Sequence, residues 1–350
     1  MPLAVVRAVA SPRIGAGHVM RCLVLADALA AHGWQAVLAC DDETLATVPA
    51  LAGSSHRSVV LREGADPAAE LRKLVPAGCD LLLVDDYALG EAFETPLHGW
   101  AGTVLAIDDL ANRSHDCNLL VDACLGRRAE DYAGLVPAGC RVLVGPDHAL
   151  LRPQFTARRP EALARRGAAA SRLLVSLGGT DPHGLADLVL EGIAASKLAP
   201  AVDVVTGLLP ASDPDRLHRL AGSLASVRFH AGVEDMAGLM TDADLAVGAG
   251  GGSSWERCCL GLPTVLIVTA RNQMLQAEAI AERGAAVLLG WHENVTPAVV
   301  AAAIDRLGGD RQCLKTMAAA AAALCDGQGA ARLMASIDSL VRSGSARPQA

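Results

Sequence analysis

Short aliphatic runs alternate with longer amphipathic stretches along most of this chain, and the runs do not alternate apolar with polar residues. A strand with one wet face reads with a period of two. Unbroken runs such as Leu3–Val9, Asp80–Val84, Thr103–Ile107, Leu245–Ala249 and Thr264–Val268 fit strands covered on both faces by helices. That pattern predicts a doubly wound α/β architecture with parallel sheets. Between Pro146 and Ser171 it lapses into prolines and two arginine pairs, then restarts at Arg172–Leu177 with a new strand-to-glycine-loop unit. The expectation is two Rossmann-like domains, 1–150 and 171–342, joined by a linker over 151–170, with a frayed tail at 343–350. Pro297–Val341 reads as helical throughout. Ligands of such sheets bind beyond the carboxyl ends of strands, which places the expected site in a cleft between the domains.

Charge and composition remove several functions. Of the 350 residues, 52% are hydrophobic and 19% charged, enough to build a core. A net charge of −8 leaves no basic surplus to displace counterions from a nucleic acid. Met317–Cys325, among the longest apolar runs, is about half of the roughly 20 residues a membrane span needs. Met1–Ala10 carries Arg7 and runs into a glycine loop, so no leader is expected. The ten cysteines include no Cys-x-x-Cys pair, which argues against zinc or a disulfide framework and for a reduced, cytoplasmic protein.

Three glycine loops follow strands. In Gly15-Ala-Gly17-His18-Val-Met20-Arg21, glycines let backbone approach a ligand at a helix N-terminus. As a dinucleotide fingerprint it is poor, because Met20 takes the third glycine position, although Asp41 or Asp42 sits where a ribose acid would. His18 reads either as a general base, held neutral by the helix N-terminus, or as a capping or phosphate-binding residue. The second loop, Gly250-Gly251-Gly252-Ser253-Ser254-Trp-Glu256, offers amides for a diphosphate and a glutamate for ribose hydroxyls. The third, Ser176-Leu-Gly178-Gly179-Thr-Asp181-Pro, opens a ligand floor or simply turns into a helix. Arg271-Asn272-Gln273 supplies polar donors after a strand, while Asp85-Asp86-Tyr87, Asp108-Asp109 and the pair Asp242 and Asp244 are carboxylates with weak metal character.

Taken in order, Gly15–Arg21, Asp86-Tyr87, Ile107–Leu110, Leu150–Phe155, Ser176–Asp181, Gly248–Arg257 and Asn272-Gln273 resemble the PseG family of UDP-sugar hydrolases, relatives of GT-B glycosyltransferases such as MurG. The resemblance implies a GT-B fold with UDP in the C-terminal domain. It also implies metal-independent hydrolysis of UDP-2,4-diacetamido-2,4,6-trideoxy-β-L-altropyranose, without a cofactor. Carried over by position, His18 is the base. Gly17, Arg21, Tyr87, Gly178, Gly179, Asn272 and Gln273 lie at the sugar, and Gly250 to Ser254 with Glu256 hold UDP. The expected partner is that small-molecule substrate alone, with no nucleic acid or membrane, and the protein is expected as a monomer. Ala123-Cys124 after Asp122, and His148, depart from the family pattern, which bears on the identity of the sugar. A GT-B transferase with an unknown acceptor is the alternative, and a non-catalytic nucleotide-sugar binder a third reading.

Overall fold

The computed structural model describes residues 1–179, 181, 183–206, 220, 222, 224 and 226–344. It forms two compact units, one of Met1–Leu150 with Gln328–Ala350 and one of Leu151–Gly327.

The first unit carries strands β1 (Leu3–Ala8), β2 (Gln35–Cys40), β3 (Arg57–Val60), β4 (Cys79–Asp85), β5 (Ala101–Ile107), β6 (Leu119–Asp122) and β7 (Arg141–Val144). They lie in the order β3-β2-β1-β4-β5-β6-β7, each pair parallel. The central strands are buried on both faces, as their unbroken apolar runs require: Leu81, Leu82 and Leu83 are all fully enclosed. The strand order reverses at β1 and β4, so the loops after these two strands face a common crevice. Ala8 pairs with Asp85 across that junction, which brings the ends of β1 and β4 level.

The second unit carries β8 (Arg172–Ser176), β9 (Ala201–Thr206), β10 (Ser226–Ala231), β11 (Leu245–Ala249), β12 (Thr264–Val268) and β13 (Val287–Trp291), in the parallel order β10-β9-β8-β11-β12-β13. Its reversal falls at β8 and β11, the strands that run into two of the glycine loops.

The units differ in extent from the sequence expectation. The supposed linker is a helix, Pro153–Arg165, inside the second unit. Its paired arginines are structural donors: Arg159 bonds the carbonyls of Cys259, Cys325 and Ala322, and Arg166 those of Leu260, Ala243 and Met240. Those carbonyls lie at or near helix ends, where acceptors lack intrahelical partners. At the other end, helix Gly329–Gly344 returns to the first unit and buries Leu333, Met334 and Ile337 in its core. Of the expected tail, 345–350 lies outside the described residues. No helix among the described residues is long and apolar enough to cross a membrane.

Candidate functional site

The chain leaves β1, turns through Gly15 at a φ of +83° that favours glycine, and enters helix Gly17–Ala31. Ser11 stitches the turn, accepting from Gly15 N–H through its carbonyl at 2.7 Å and from Ile14 N–H through its hydroxyl at 3.1 Å. His18, Arg21 and Cys22 are three and four residues apart, so all three face the same way off the first turns of the helix. What they face is Asp85, the last residue of β4.

Asp85 is almost wholly buried and accepts from all three. His18 Nδ1 is 2.6 Å from Oδ1; Arg21 donates through Nε to Oδ2 at 2.6 Å and through Nη2 to Oδ1 at 2.7 Å; the Cys22 thiol reaches Oδ2 at 3.4 Å. Burial pushes the Asp85 carboxyl up, but Arg21 and then His18 outweigh it and hold the group far below the usual carboxylate range. Burial likewise opposes the Arg21 charge, and Asp85 overrides it so that Arg21 stays firmly protonated. An ionised carboxylate only accepts, so Nδ1 of His18 carries the proton of this contact. Nε2 has no hydrogen-bond partner among the described residues, and in the neutral ring its lone pair is available to take a proton.

Tyr87 completes the group. Its hydroxyl donates to Asp109 Oδ1 at 2.7 Å, its ring stands edge-on to His18 with centroids 4.5 Å apart, and Arg21 Nη1 reaches Asp109 Oδ2 at 3.4 Å. Burial and the neighbouring Asp109 push the phenol well up, so it remains a donor. Asp86 instead turns to Arg7 at 3.2 Å, and Asp108 to Arg113 at 2.6 Å and Tyr132 at 3.0 Å. Gly17 opens the helix with free space where a Cβ would project. Of the two departures, Cys124 N–H donates to Asp122 Oδ1 at 2.7 Å, and the His148 backbone lies where Gly329 starts the returning helix.

In the second unit, β11 runs into Gly250–Gly252 and helix Ser253–Cys259. Not every predicted donor is open. Gly250 N–H bonds Ile267 carbonyl at 3.1 Å, Ser254 N–H bonds Gly251 carbonyl at 2.9 Å, and the Ser254 hydroxyl is buried against Arg257 and Ala249. The amides of Gly251, Gly252 and Ser253 are left without a backbone partner among the described residues. Beneath them lies Arg257, fully buried, donating to Ala249 carbonyl at 2.6 Å, Ser254 Oγ at 3.0 Å and Ser253 Oγ at 3.1 Å. Burial brings its guanidinium down to about 10. Gln276 braces the same loop from the other side, donating to Gly250 and Gly251 carbonyls at 2.9 and 3.1 Å.

Glu256 is half-buried, 3.7 Å from Arg152, and burial raises its carboxyl against the pull of Arg152 and Arg257. Gln273 packs beside Gly251, but its amide oxygen is occupied by Thr269 N–H and hydroxyl, both at 3.0 Å. Asn272 stands half-buried next to it. Gly178, at φ +107°, and Gly179 are exposed after β8; Asp181 caps the helix Leu185–Ala195, accepting from Leu185 and Ala186 N–H at 3.0 Å. Thr180 and Pro182 of that motif lie outside the described residues. His18, Arg21 and Tyr87 are thus gathered in the first unit, and the serine-glycine loop, Glu256, Asn272 and Gln273 belong to the second. Asp85, Asp109 and Arg257 were given no such role by the sequence reading. Among the described residues, no three His, Cys, Asp or Glu side chains gather as metal ligands would.

Residues 212–334 match the family model of the glycosyltransferase family 28 C-terminal domain. The chain is 28% identical over 209 residues to the spore coat polysaccharide biosynthesis protein SpsG of Bacillus subtilis strain 168, covering 59% of this chain and 60% of SpsG, less than two thirds of that relative's length. It is 26% identical over 285 residues to the UDP-2,4-diacetamido-2,4,6-trideoxy-beta-L-altropyranose hydrolase of Campylobacter jejuni, covering 79% of this chain and 96% of the hydrolase. MurG of Acinetobacter baumannii superposes with a TM-score of 0.68 at 15% identity, over 96% of this chain and 99% of that one. The chain is a distant homologue of the hydrolase, and its two parallel-sheet units are those of the GT-B fold.

Proposed function

We propose that this protein is an enzyme acting on a UDP-sugar, and that it hydrolyses a UDP-linked diacetamido-trideoxy sugar to the free sugar and UDP with inversion at the anomeric carbon. The single observation that carries the reading is the His18–Asp85 pair at 2.6 Å, which aligns one imidazole nitrogen and leaves the other available as a base. His18 Nε2 takes a proton from water as the water oxygen bonds the anomeric carbon and the bond from that carbon to the diphosphate oxygen breaks, while Asp85 holds Nδ1 and so fixes the tautomer. The leaving diphosphate meets the amides of Gly251, Gly252 and Ser253, whose dipoles are fixed by Arg257 and Gln276 before the reaction begins. Glu256 accepts from the ribose, and Tyr87, Arg21, Gly17, Asn272, Gln273, Gly178 and Gly179 border the sugar. The proposed enzyme is cytoplasmic, monomeric and independent of a metal.

The test incubates the protein with UDP-2,4-diacetamido-2,4,6-trideoxy-β-L-altropyranose without metal, following UDP release and the product anomer by NMR. Wild type should turn over with inversion, and His18→Ala should be slower by about 10²–10⁴-fold. A His18→Ala enzyme within a few-fold of wild type would overturn the role of the base. The second reading, transfer to an acceptor other than water, is favoured by the family 28 match over 212–334. Turnover that depends on an added acceptor, with slow release of UDP in its absence, would decide for it.

A further inference from the structure

All ten cysteines are free thiols, and among the described residues one pair has its sulfurs within hydrogen-bonding distance. Cys117 lies on the approach to β6 and Cys140 on the approach to β7, with sulfurs 3.6 Å apart. The backbone holds them there: Arg141 N–H donates to Asn118 carbonyl at 3.0 Å, and Leu119 pairs with Arg141 in the sheet. Because the strands are parallel, this pair sits at the opposite end of the sheet from Asp85, and the proposed chemistry makes no use of it. A disulfide needs sulfurs about 2.0 Å apart. Side-chain rotation supplies a shift of roughly 1.5 Å without unpairing the strands.

The two thiols are not equivalent. Cys117 is buried and Cys140 half-exposed, so a dissolved oxidant reaches Cys140 first. The contact with Cys117 draws the Cys140 thiol down against burial, with Leu120 N–H assisting, while the same contact and burial push Cys117 up. Cys140 is the more acidic sulfur and Cys117 the resolving one.

We propose that Cys117 and Cys140 form a reversible oxidation site, closed to a disulfide by a hydroperoxide and reopened by a dithiol. The Cys140 thiolate attacks the peroxide oxygen and breaks the O–O bond, giving a sulfenic acid; with hydrogen peroxide, the departing hydroxide leaves as water with the proton lost from Cys140. The Cys117 sulfur then displaces the sulfenic oxygen, which departs as a second water with the Cys117 proton. Two thiols lose two electrons and two protons, and one peroxide becomes two waters. The bond closes the segment bearing Asp122, Arg127 and Tyr132, whose side chains brace one another and Asp108.

The experiment treats wild-type protein with hydrogen peroxide, blocks remaining thiols with N-ethylmaleimide and maps the peptides by mass spectrometry. The expected product is a peptide linking Cys117 to Cys140, lighter by two hydrogens, abolished by dithiothreitol and leaving the other eight of the ten thiols to be blocked. Cys117→Ser should instead trap a dimedone adduct at Cys140. The oxidised wild type should melt roughly 5–10 °C higher, since closing a loop of this size constrains the unfolded chain. Over-oxidation of Cys140 without the link, or a first link between other cysteines, would overturn the proposal.

Discussion

Arg21 grips both oxygens of Asp85, at 2.6 and 2.7 Å, so the carboxylate that orients His18 is itself neutralised by a guanidinium. The imidazole receives direction from a residue whose charge is already balanced. This arrangement separates the two services a carboxylate gives a histidine, fixing its tautomer and compensating its charge.

Asp85→Asn tests the first service. An amide keeps the shape but offers Nδ1 either a donor or a weaker acceptor, so the wrong tautomer gains population. With the proposed substrate, UDP release should fall by about 10²–10⁴-fold, with a smaller change in KM. Combined with His18→Ala it should add little, because the two residues act as a unit. Additive losses in the double variant would contradict the pairing.

The same carboxylate sets a pH dependence of stability. Its folded-state value lies far below the unfolded value of about 3.9, so the unfolded state binds the proton first as pH falls. Its contribution is complete above about pH 5 and declines below about pH 4, by up to roughly 1.4 kcal/mol per pH unit. Urea unfolding of wild type and Asp85→Asn should therefore show a stability gap at pH 7 that narrows between pH 4 and pH 2.5. A gap that is constant with pH would assign the cost to packing alone.

Gly248 and Gly252 separate support of the loop from contact with its ligand. A Cβ at Gly248 would meet Arg257 Nη1 at 2.6 Å and its Cζ at 2.9 Å, so Gly248→Ala displaces a fully buried guanidinium and should cost about 1–3 kcal/mol in thermal or urea unfolding. A Cβ at Gly252 projects into open space from ordinary backbone, φ −55° and ψ −30°. Gly252→Ala should leave stability within about 0.5 kcal/mol yet weaken UDP binding several-fold in calorimetry, because the methyl group stands where phosphate would approach. Unchanged UDP affinity in Gly252→Ala would move the diphosphate elsewhere.

Arg257→Met removes the donor that Ala249 carbonyl and the two serine hydroxyls share. Each buried acceptor left alone costs about 1–3 kcal/mol, partly recovered because the guanidinium itself was expensive to bury. The expected result is a lower melting temperature together with weaker UDP binding. Arg257→Met should weaken UDP binding more than Gly252→Ala does, since it loosens all three amides at once.

The sheets were legible because burial on both faces writes itself into contiguous residues. Two strands escaped. β3 is an exposed edge strand, Arg-Ser-Val-Val, with a single buried side chain, and β6 is four residues long behind a polar approach. Glycine loops were legible for the same local reason, since a turn and the helix behind it are adjacent in sequence. Asp85 carried no such mark: it stands 67 positions from His18, beside a second aspartate that faces Arg7 instead, and only the register of β1 with β4 selects between them. Arg257 was equally silent, because an arginine in a short helix gives no sign that it points inward beneath a glycine. The paired arginines at 158–159 and 165–166 suggested a solvated linker, whereas Arg159 and Arg166 are consumed by carbonyls of the second unit.

The return of helix Gly329–Gly344 to the first unit has a consequence for biogenesis. The first unit is discontinuous: its sheet is encoded by residues 1–150, but the core position filled by Leu333, Met334 and Ile337 stays vacant until those residues leave the ribosome. Through the synthesis of the intervening 151–327, a nascent chain carries a nearly finished sheet with an uncovered apolar seam beside helix Gly17–Ala31. That interval is when a chaperone has something to hold, and a stop codon before residue 329 would make it permanent.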